Sequence, residues 1–415
     1  MAVLKAFKGI RPVREHVAEI ASRPYDVLNR AEAATEAAGN PLSFLHVIKP
    51  EIDLPETTDE HTPEVYAKGN AAFRKMLADG VFFTDECEKL YIYAQTMDKR
   101  TQYGIVGCAS VDDYLNNVIR KHELTRPDKE EDRRNHIRTS KLNYEPVFFT
   151  YPSVAEIDAI VEKQTATVPE YDFTAEDGIG HRFWVIDHQP TIDRLIDLFA
   201  AVPYTYVADG HHRTAAAAGV GLERRHAAPN HTGKEEYNFF LAVHFPDRQL
   251  KIFDYNRVVK DLNGYSESDF LAALSRSFKV ECKGTAEYRP SAPHEFGMYL
   301  GGKWYALKAL PGTYNDNDPI GCLDVTVLTD WVLAPLLNIT DLRHSKRIDF
   351  VGGIRGLNEL RRKVDSGEMA AAFALYPVSM KQLIDIADSG NIMPPKTTWF
   401  EPKLRSGLVI HNIDD

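Results

Sequence analysis

The residues best suited to chemistry stand together in one stretch, Tyr206-Val207-Ala208-Asp209-Gly210-His211-His212-Arg213-Thr214. An apolar strand runs into a single glycine and a helix leaves it. The free N–H groups of such a first helical turn point outward and favour an anion. Gly210, His211, His212, Arg213 and Thr214 would add backbone donors, positive charge and a hydroxyl at that point, which is the chemistry of a phosphate cradle. Asp209 would hold a magnesium ion or orient a reacting group, because magnesium usually takes one or two carboxylates and completes its shell with phosphate oxygens. The glycine and lysine pattern of a P-loop is missing, and one glycine rather than three opens the helix, so neither a P-loop nor a dinucleotide-binding turn is encoded. The plain alternative, Asp209 capping a helix beside two surface histidines, leaves the clustering of two His and an Arg without a cause. A two-histidine metal site lacks a third ligand at a recognisable spacing.

Other polar clusters are less specific. Lys396, Thr397 and Thr398 follow a di-proline that stiffens the backbone, and a lysine with two hydroxyls suits a carboxylate or a phosphate. Trp399 and Phe400, next in line, read as anchors for that loop. Arg126, Lys129 and Arg133 recur at helical spacing and would form a basic stripe able to contact nucleotide phosphates, or else pair with Glu130 and Asp132 on a solvated face. Asn256 and Arg257 follow a strand and are candidates for the same cleft. Tyr25-Asp26 reads as a turn fixed by Pro24.

Hydrophobic spacing supplies the elements that must position these groups. Val65–Asp79 and Thr191–Ala200 carry helical patterns, as do Glu267–Ser277, Val325–Leu337, Leu357–Val364 and Met380–Ala387, while the highly charged Thr125–Leu142 reads as a solvated helix face. Leu90–Gln95, Tyr103–Ala109, Glu145–Tyr151, Arg182–Ile186, Tyr204–Ala208, Asn238–Phe245, Leu250–Asp254 and Ala370–Tyr376 read as strands. Arg213–Ala218 reads as a short helix closed by Gly219, and Asp158–Pro169 as a polar, peripheral segment. Strands alternating with helices predict a mixed α/β protein.

The chain has 415 residues, of which 44% are hydrophobic and 26% charged, an ordinary globular composition for two or three domains. We place them at residues 1–112, 113–261 and 262–415. The net charge of −11 opposes a broad nucleic-acid surface, which needs a dense basic field, but leaves room for one basic pocket. Cys87, Cys108, Cys282 and Cys322 lack CxxC spacing and read as reduced thiols. With no secretory pattern at Met1–Glu19 and no long apolar run, the expectation is a soluble cytoplasmic protein without membrane partners.

Asp-Gly-His-His-Arg after an apolar strand resembles the phosphate-binding motif of free serine kinases of the SerK type, within the ParB/sulfiredoxin-like superfamily. Lys121-His122-Glu123 resembles that family's Pro-His-Glu, and Pro395-Lys396-Thr397-Thr398 resembles its Pro-Lys-Thr-Thr. The long form, with Arg-Pro-Tyr-Asp near residue 25 and Asn256-Arg257 after a strand, looks like a large bacterial family classed as a domain of unknown function. The resemblance implies a ParB/sulfiredoxin-like core with an N-terminal α/β addition and a C-terminal α/β domain. It implies a kinase that moves a phosphoryl group from ATP or ADP, with Mg²⁺, to the hydroxyl of free L-serine. Glu123 would be the base and Asp209 the metal-holding or orienting carboxylate; Lys396, Thr397 and Thr398 would hold the amino acid. The sequence departs from the pattern at Lys121, where the family has proline, and at Trp399, where the compact kinases have arginine. A nucleotide-switched DNA clamp of the ParB kind is the alternative, opposed by the acidic balance; a non-catalytic nucleotide or phosphoserine sensor is another. A sulfiredoxin-like reductase is excluded, because its motif needs a cysteine where His211 and His212 stand.

Overall fold

The computed structural model describes residues 1–414 and divides into two compact units, Met1–Leu250 with Pro402–Asp415, and Lys251–Glu401. The second unit is therefore an insertion in the chain of the first. These limits differ from the boundaries expected at 112/113 and 261/262. A cut at 112 would fall just after a strand, Arg100–Ser110, that pairs along most of its length with Phe239–Pro246. A sheet joined across that distance in sequence cannot be divided there.

The first unit is built on an eight-stranded sheet. Its strands in chain order are β1 (Leu90–Met97), β2 (Arg100–Ser110), β3 (Ile119–Arg120), β4 (Val147–Tyr151), β5 (Tyr171–Thr174), β6 (Gly180–Ile186), β7 (Thr205–Asp209) and β8 (Phe239–Pro246). The spatial order is β3-β7-β4-β8-β2-β1-β6-β5. Only the β3·β7 and β4·β8 pairs are parallel. The β1–β2 hairpin turns at Asp98 and Lys99, both with positive φ (49° and 66°), as a tight two-residue hairpin requires.

Helices cover both faces, which is why the central strands are buried on both sides. On one face α3 (Ala155–Thr165) and α4 (Gln189–Phe199) pack Ile157, Val161, Leu195 and Phe199 against Leu90, Ile92, Ile105 and Trp184. On the other, α5 (His211–Ala227) lays Ala217 and Ala218 on Val147, Phe149, Val207 and Phe240. Beside α5 runs α2 (Pro127–Ser140). An N-terminal layer that includes α1 (Pro63–Ala78) builds its own core around Phe44, Phe73 and Phe82.

Two expectations need correction here. Gly219 does not close α5. The helix continues to Ala227, and Gly219 is small because a Cβ there would lie 2.5 Å from the Arg134 guanidinium. The segment expected to be polar and peripheral, Asp158–Pro169, forms most of α3, where Val161, with Ile157 just before the segment, gives one narrow buried edge among charged residues.

The second unit carries a six-stranded antiparallel sheet from β9 (Tyr255–Val259), β10 (Phe278–Gly284), β11 (Glu295–Leu300), β12 (Lys303–Ala309), β13 (Ile348–Gly352) and β14 (Ala371–Leu375), in the order β10-β12-β11-β14-β9-β13. Helix α7 (Gly356–Asp365; α6 is Glu267–Leu274) packs Leu357 and Leu360 against Val258, Tyr299 and Trp304. The helix expected over Val325–Leu337 is shorter, Asp324–Leu328, and passes into a π-turn at Thr329–Leu333. The protein is mixed α/β, as the alternation of patterns implied. No helix among the described residues is long and apolar enough to cross a membrane.

Candidate active site

The site of the first unit forms where β7 ends and α5 begins. Gly210 takes φ +90°, a left-handed conformation that favours glycine, and its missing Cβ leaves space 3.1 Å from the Arg213 Nε. The turn thus brings the guanidinium of Arg213 against its own backbone. Arg213 is buried; its Nη1 donates to the Pro146 carbonyl at 2.7 Å and its Nη2 to Asp209 Oδ2 at 3.3 Å. Asp26 Oδ2 lies 3.9 Å away. The Thr214 hydroxyl is turned back onto the Gly210 carbonyl at 2.9 Å, so it closes the first turn rather than facing outward.

Glu123 joins this group from a distant part of the chain. The segment after β3 lies along the start of α5, where His212 Nε2 accepts the Arg126 backbone N–H at 3.0 Å. His122 and His211 meet edge to face at 4.5 Å, and Glu123 Oε2 stands 3.9 Å from His211 Nδ1. Glu123 and Asp209 are thereby gathered around one pair of imidazoles.

The electrostatics correct one expectation. His211 and His212 were to add positive charge, yet burial drives His211 down to about 4, and its neighbour His122 down to about 3, so these two rings are neutral near pH 7. The positive charge comes from Arg213 and from Lys403, whose Nζ reaches Asp209 Oδ1 at 3.1 Å. Burial pushes the Asp209 carboxyl up, and the fields of Lys403 and Arg213 more than offset this, leaving it ionised below the usual carboxylate range. Behind Arg213, burial raises the Glu145 carboxyl against the pull of Arg213 and Arg133. Glu145 in turn accepts the Tyr25 N–H at 3.1 Å.

The basic stripe does not form. Arg126 is exposed, precedes α2 and pairs with Asp128. Lys129 is half-buried. Arg133 is buried, held by Asp132 and Glu145, and stacked 3.8 Å from the Tyr25 ring centre. Arg133 therefore braces the floor of the site rather than facing solvent.

Lys396, Thr397, Thr398, Asn256 and Arg257 all belong to the second unit. Asn256 is fully buried, donates to Asp254 at 2.6 Å and accepts the Leu375 N–H at 3.0 Å, so it ties β9 to the end of β14. Arg257 is equally buried; it donates to the carbonyls of Tyr255 and Pro395, lies over the Phe350 ring, and has no carboxylate partner among the described residues. Burial lowers its pKa to about 10. Thr397 donates to the Pro394 carbonyl at 2.6 Å, and Lys396 takes φ +59° with its Nζ 5.8 Å from the Tyr255 ring centre. Trp399 and Phe400 pair with Phe253 and Ile252, the anchoring expected of them.

Magnesium has a limited place here. Among the described residues no three His, Cys, Asp or Glu side chains stand together as a metal cage. Asp209 offers one carboxylate, already shared by two cations. That donor set fits an ion carried in on phosphate oxygens, not one held by protein alone.

Sequence reading missed Lys403 and Glu145 as members of the site and took Tyr25-Asp26 for a turn. The signal for Lys403 was the second Pro-Lys pair, Pro402-Lys403, seven residues after Pro395-Lys396.

Eight chains of solved structures match this one, three of them as follows. A conserved hypothetical protein from Pyrococcus furiosus is 14% identical, with 73% of this chain and 93% of that chain covered and a TM-score of 0.35. A free serine kinase in complex with AMP is 12% identical, covering 72% and 86%, with a TM-score of 0.35. SbnI with C-terminal truncation from Staphylococcus aureus is 13% identical, covering 71% and 82%, with a TM-score of 0.36. No curated protein matches the chain by sequence. The family model for the protein of unknown function DUF1015 matches residues 4–326, more than three quarters of the sequence, and the chain belongs to that family.

Proposed function

We propose that this protein is a small-molecule kinase with a ParB/sulfiredoxin-like core, transferring a phosphoryl group from ATP or ADP to the hydroxyl of free L-serine. The observation that carries this reading is the convergence of Glu123, Asp209, Arg213 and Lys403 on the glycine turn that opens α5. Phosphoryl transfer asks little covalent chemistry of a protein; it needs a phosphate cradle, charge neutralisation and a carboxylate near the acceptor. The backbone donors of Gly210–His212 with Arg213 form the cradle. Neutral His211 donates a hydrogen bond without repelling the cations around it. When bound, magnesium would neutralise phosphate charge, and Asp209 is the residue that would hold it.

The serine oxygen attacks the terminal phosphorus, and the bond from that phosphorus to the bridging oxygen breaks. The nucleotide leaves with that electron pair, and Glu123 accepts the hydroxyl proton. Within the second unit we assign Lys396, Thr397, Thr398 and Arg257 to a carboxylate, with Asn256 holding the backbone beside Arg257. A buried guanidinium held by two carbonyls and the face of Phe350 has the chemistry to take a carboxylate.

The test separates chemistry from binding. Glu123→Gln is expected to lower kcat by about 100-fold or more, the usual worth of a general base, while changing nucleotide Kd by less than about threefold. Equal turnover by Glu123→Gln and wild type would remove Glu123 as the base. Wild-type protein that makes no phosphoserine from any nucleotide donor would remove the function.

A further inference from the structure

The strongest positive charge at Asp209 that the motif does not supply comes from the end of the chain. Pro402–Asp415 returns to the first unit after the insertion and is laid across it residue by residue. The Lys403 carbonyl accepts from Gln95 Nε2 at 2.8 Å, and the Gln95 oxygen accepts from Gln102 at 3.1 Å. Arg405 pairs with Asp177 and donates to His181 Nε2 at 3.3 Å, and the other nitrogen of His181 meets the Tyr93 hydroxyl at 2.8 Å. Ser406 exchanges backbone hydrogen bonds with Ser22, and Ile410 does so with Ile10. Gln95, Gln102, His181 and Arg405 are all buried. Buried polar groups are costly unless bonded, so a core would not spend four of them merely to fill space. Together they fix the backbone of residue 403, leaving only its side chain to choose a partner.

That side chain ends on Asp209, the carboxylate that Arg213 also meets. His211 Nε2 and Arg213 Nε, both on residues more than nine-tenths buried, have no hydrogen-bond partner among the described residues. Arg213 is itself shared among Asp209, Asp26 and the Pro146 carbonyl.

We propose that Lys403 is a phosphate-binding residue, exchanging Asp209 for a phosphate oxygen of the nucleotide, and that the C-terminal segment exists in this fold to deliver it. This rests on the reading of the α5 turn as a phosphate site. With no ligand, Asp209 holds the ammonium in place; with nucleotide bound, Lys403 neutralises phosphate charge and Asp209 is released to its own role.

The experiment measures binding of ADP and of adenosine, which lacks phosphates, by titration calorimetry on the full chain in EDTA. Wild type tests the underlying reading: if it binds no ADP, the phosphate site itself is absent and that reading falls first. If it binds, Lys403→Met is expected to weaken ADP by about tenfold or more, the usual worth of a charge-assisted hydrogen bond, and to leave adenosine unchanged. Lys403→Arg, which keeps the charge, is expected to stay within about threefold of wild type for ADP. ADP affinity unchanged in Lys403→Met, or ADP and adenosine weakened alike, would overturn the proposal, because the second pattern is that of a merely structural lysine. Should Lys403→Met melt well below wild type, Asp209→Asn combined with Lys403→Met removes the pair rather than half of it and is read against Asp209→Asn alone; equal ADP affinity in those two would equally overturn it.

Discussion

Gly210 is where local geometry and chemistry meet most closely. A side chain at φ +90° costs roughly 1–2 kcal/mol, and here the added Cβ also presses on the Arg213 guanidinium. Gly210→Ala should therefore lower stability in urea by about that amount. It should also weaken nucleotide phosphate binding, because Arg213 cannot stay where it is. Unchanged ADP affinity in a folded Gly210→Ala would show that the placement of Arg213 is not what the glycine serves. The sequence displayed this turn openly: an apolar strand, one glycine, then His-His-Arg. It did not display the protonation state of the histidines, because burial decides that, and burial of residue 211 depends on His122 arriving from the other side of the sheet edge.

At the level of elements, α5 and the C-terminal segment differ in how much of their role could be read from their own residues. The strand that enters the turn and the helix patterns of α1 and α4 followed from hydrophobic spacing, and α2 from its run of charges. The length of α5 did not, since its two glycines are there for Arg134 and the Tyr237 carbonyl rather than to end it. The C-terminal segment has almost no repetitive structure, so periodicity is silent about it; its order comes from hydrogen bonds to β1 and β6. Arg405 is the main grip. Arg405→Met should cost about 2 kcal/mol in denaturant, since buried His181 Nε2 loses its donor while the Asp177 end is half exposed and solvent-screened. A change below about 0.5 kcal/mol, the range of ordinary surface substitutions, would mean the segment is held elsewhere.

On the scale of the whole molecule, the acid side of the stability curve has an unusual origin. Burial holds His122, His181 and His244 down to about 3 and His211 down to about 4, against an ordinary value of 6.5. Above pH 6.5 these rings are neutral in both states and their contribution is fully present. As pH falls from 6.5 toward 4 the unfolded chain binds protons that the folded chain refuses, so stability is lost through that window. The melting temperature should therefore fall between pH 6.5 and 5, before most carboxylates titrate. His244 is the clearest case, because neither ring nitrogen has a hydrogen-bond partner and the ring packs against Phe149 and Phe199. His244→Leu should flatten the pH dependence by about one proton without loss of stability at pH 7.5. A pH profile identical to wild type would refute the assignment.

The central claim is phosphoryl transfer to a free amino-acid hydroxyl. Phosphorus NMR of the intact protein with Mg²⁺, ATP or ADP, and L-serine tests it most directly. The account predicts a phosphoserine resonance that grows in step with loss of the terminal nucleotide phosphate and is absent when serine is omitted. Nucleotides that stay intact with every donor, or that yield only inorganic phosphate at a rate indifferent to serine, would contradict it.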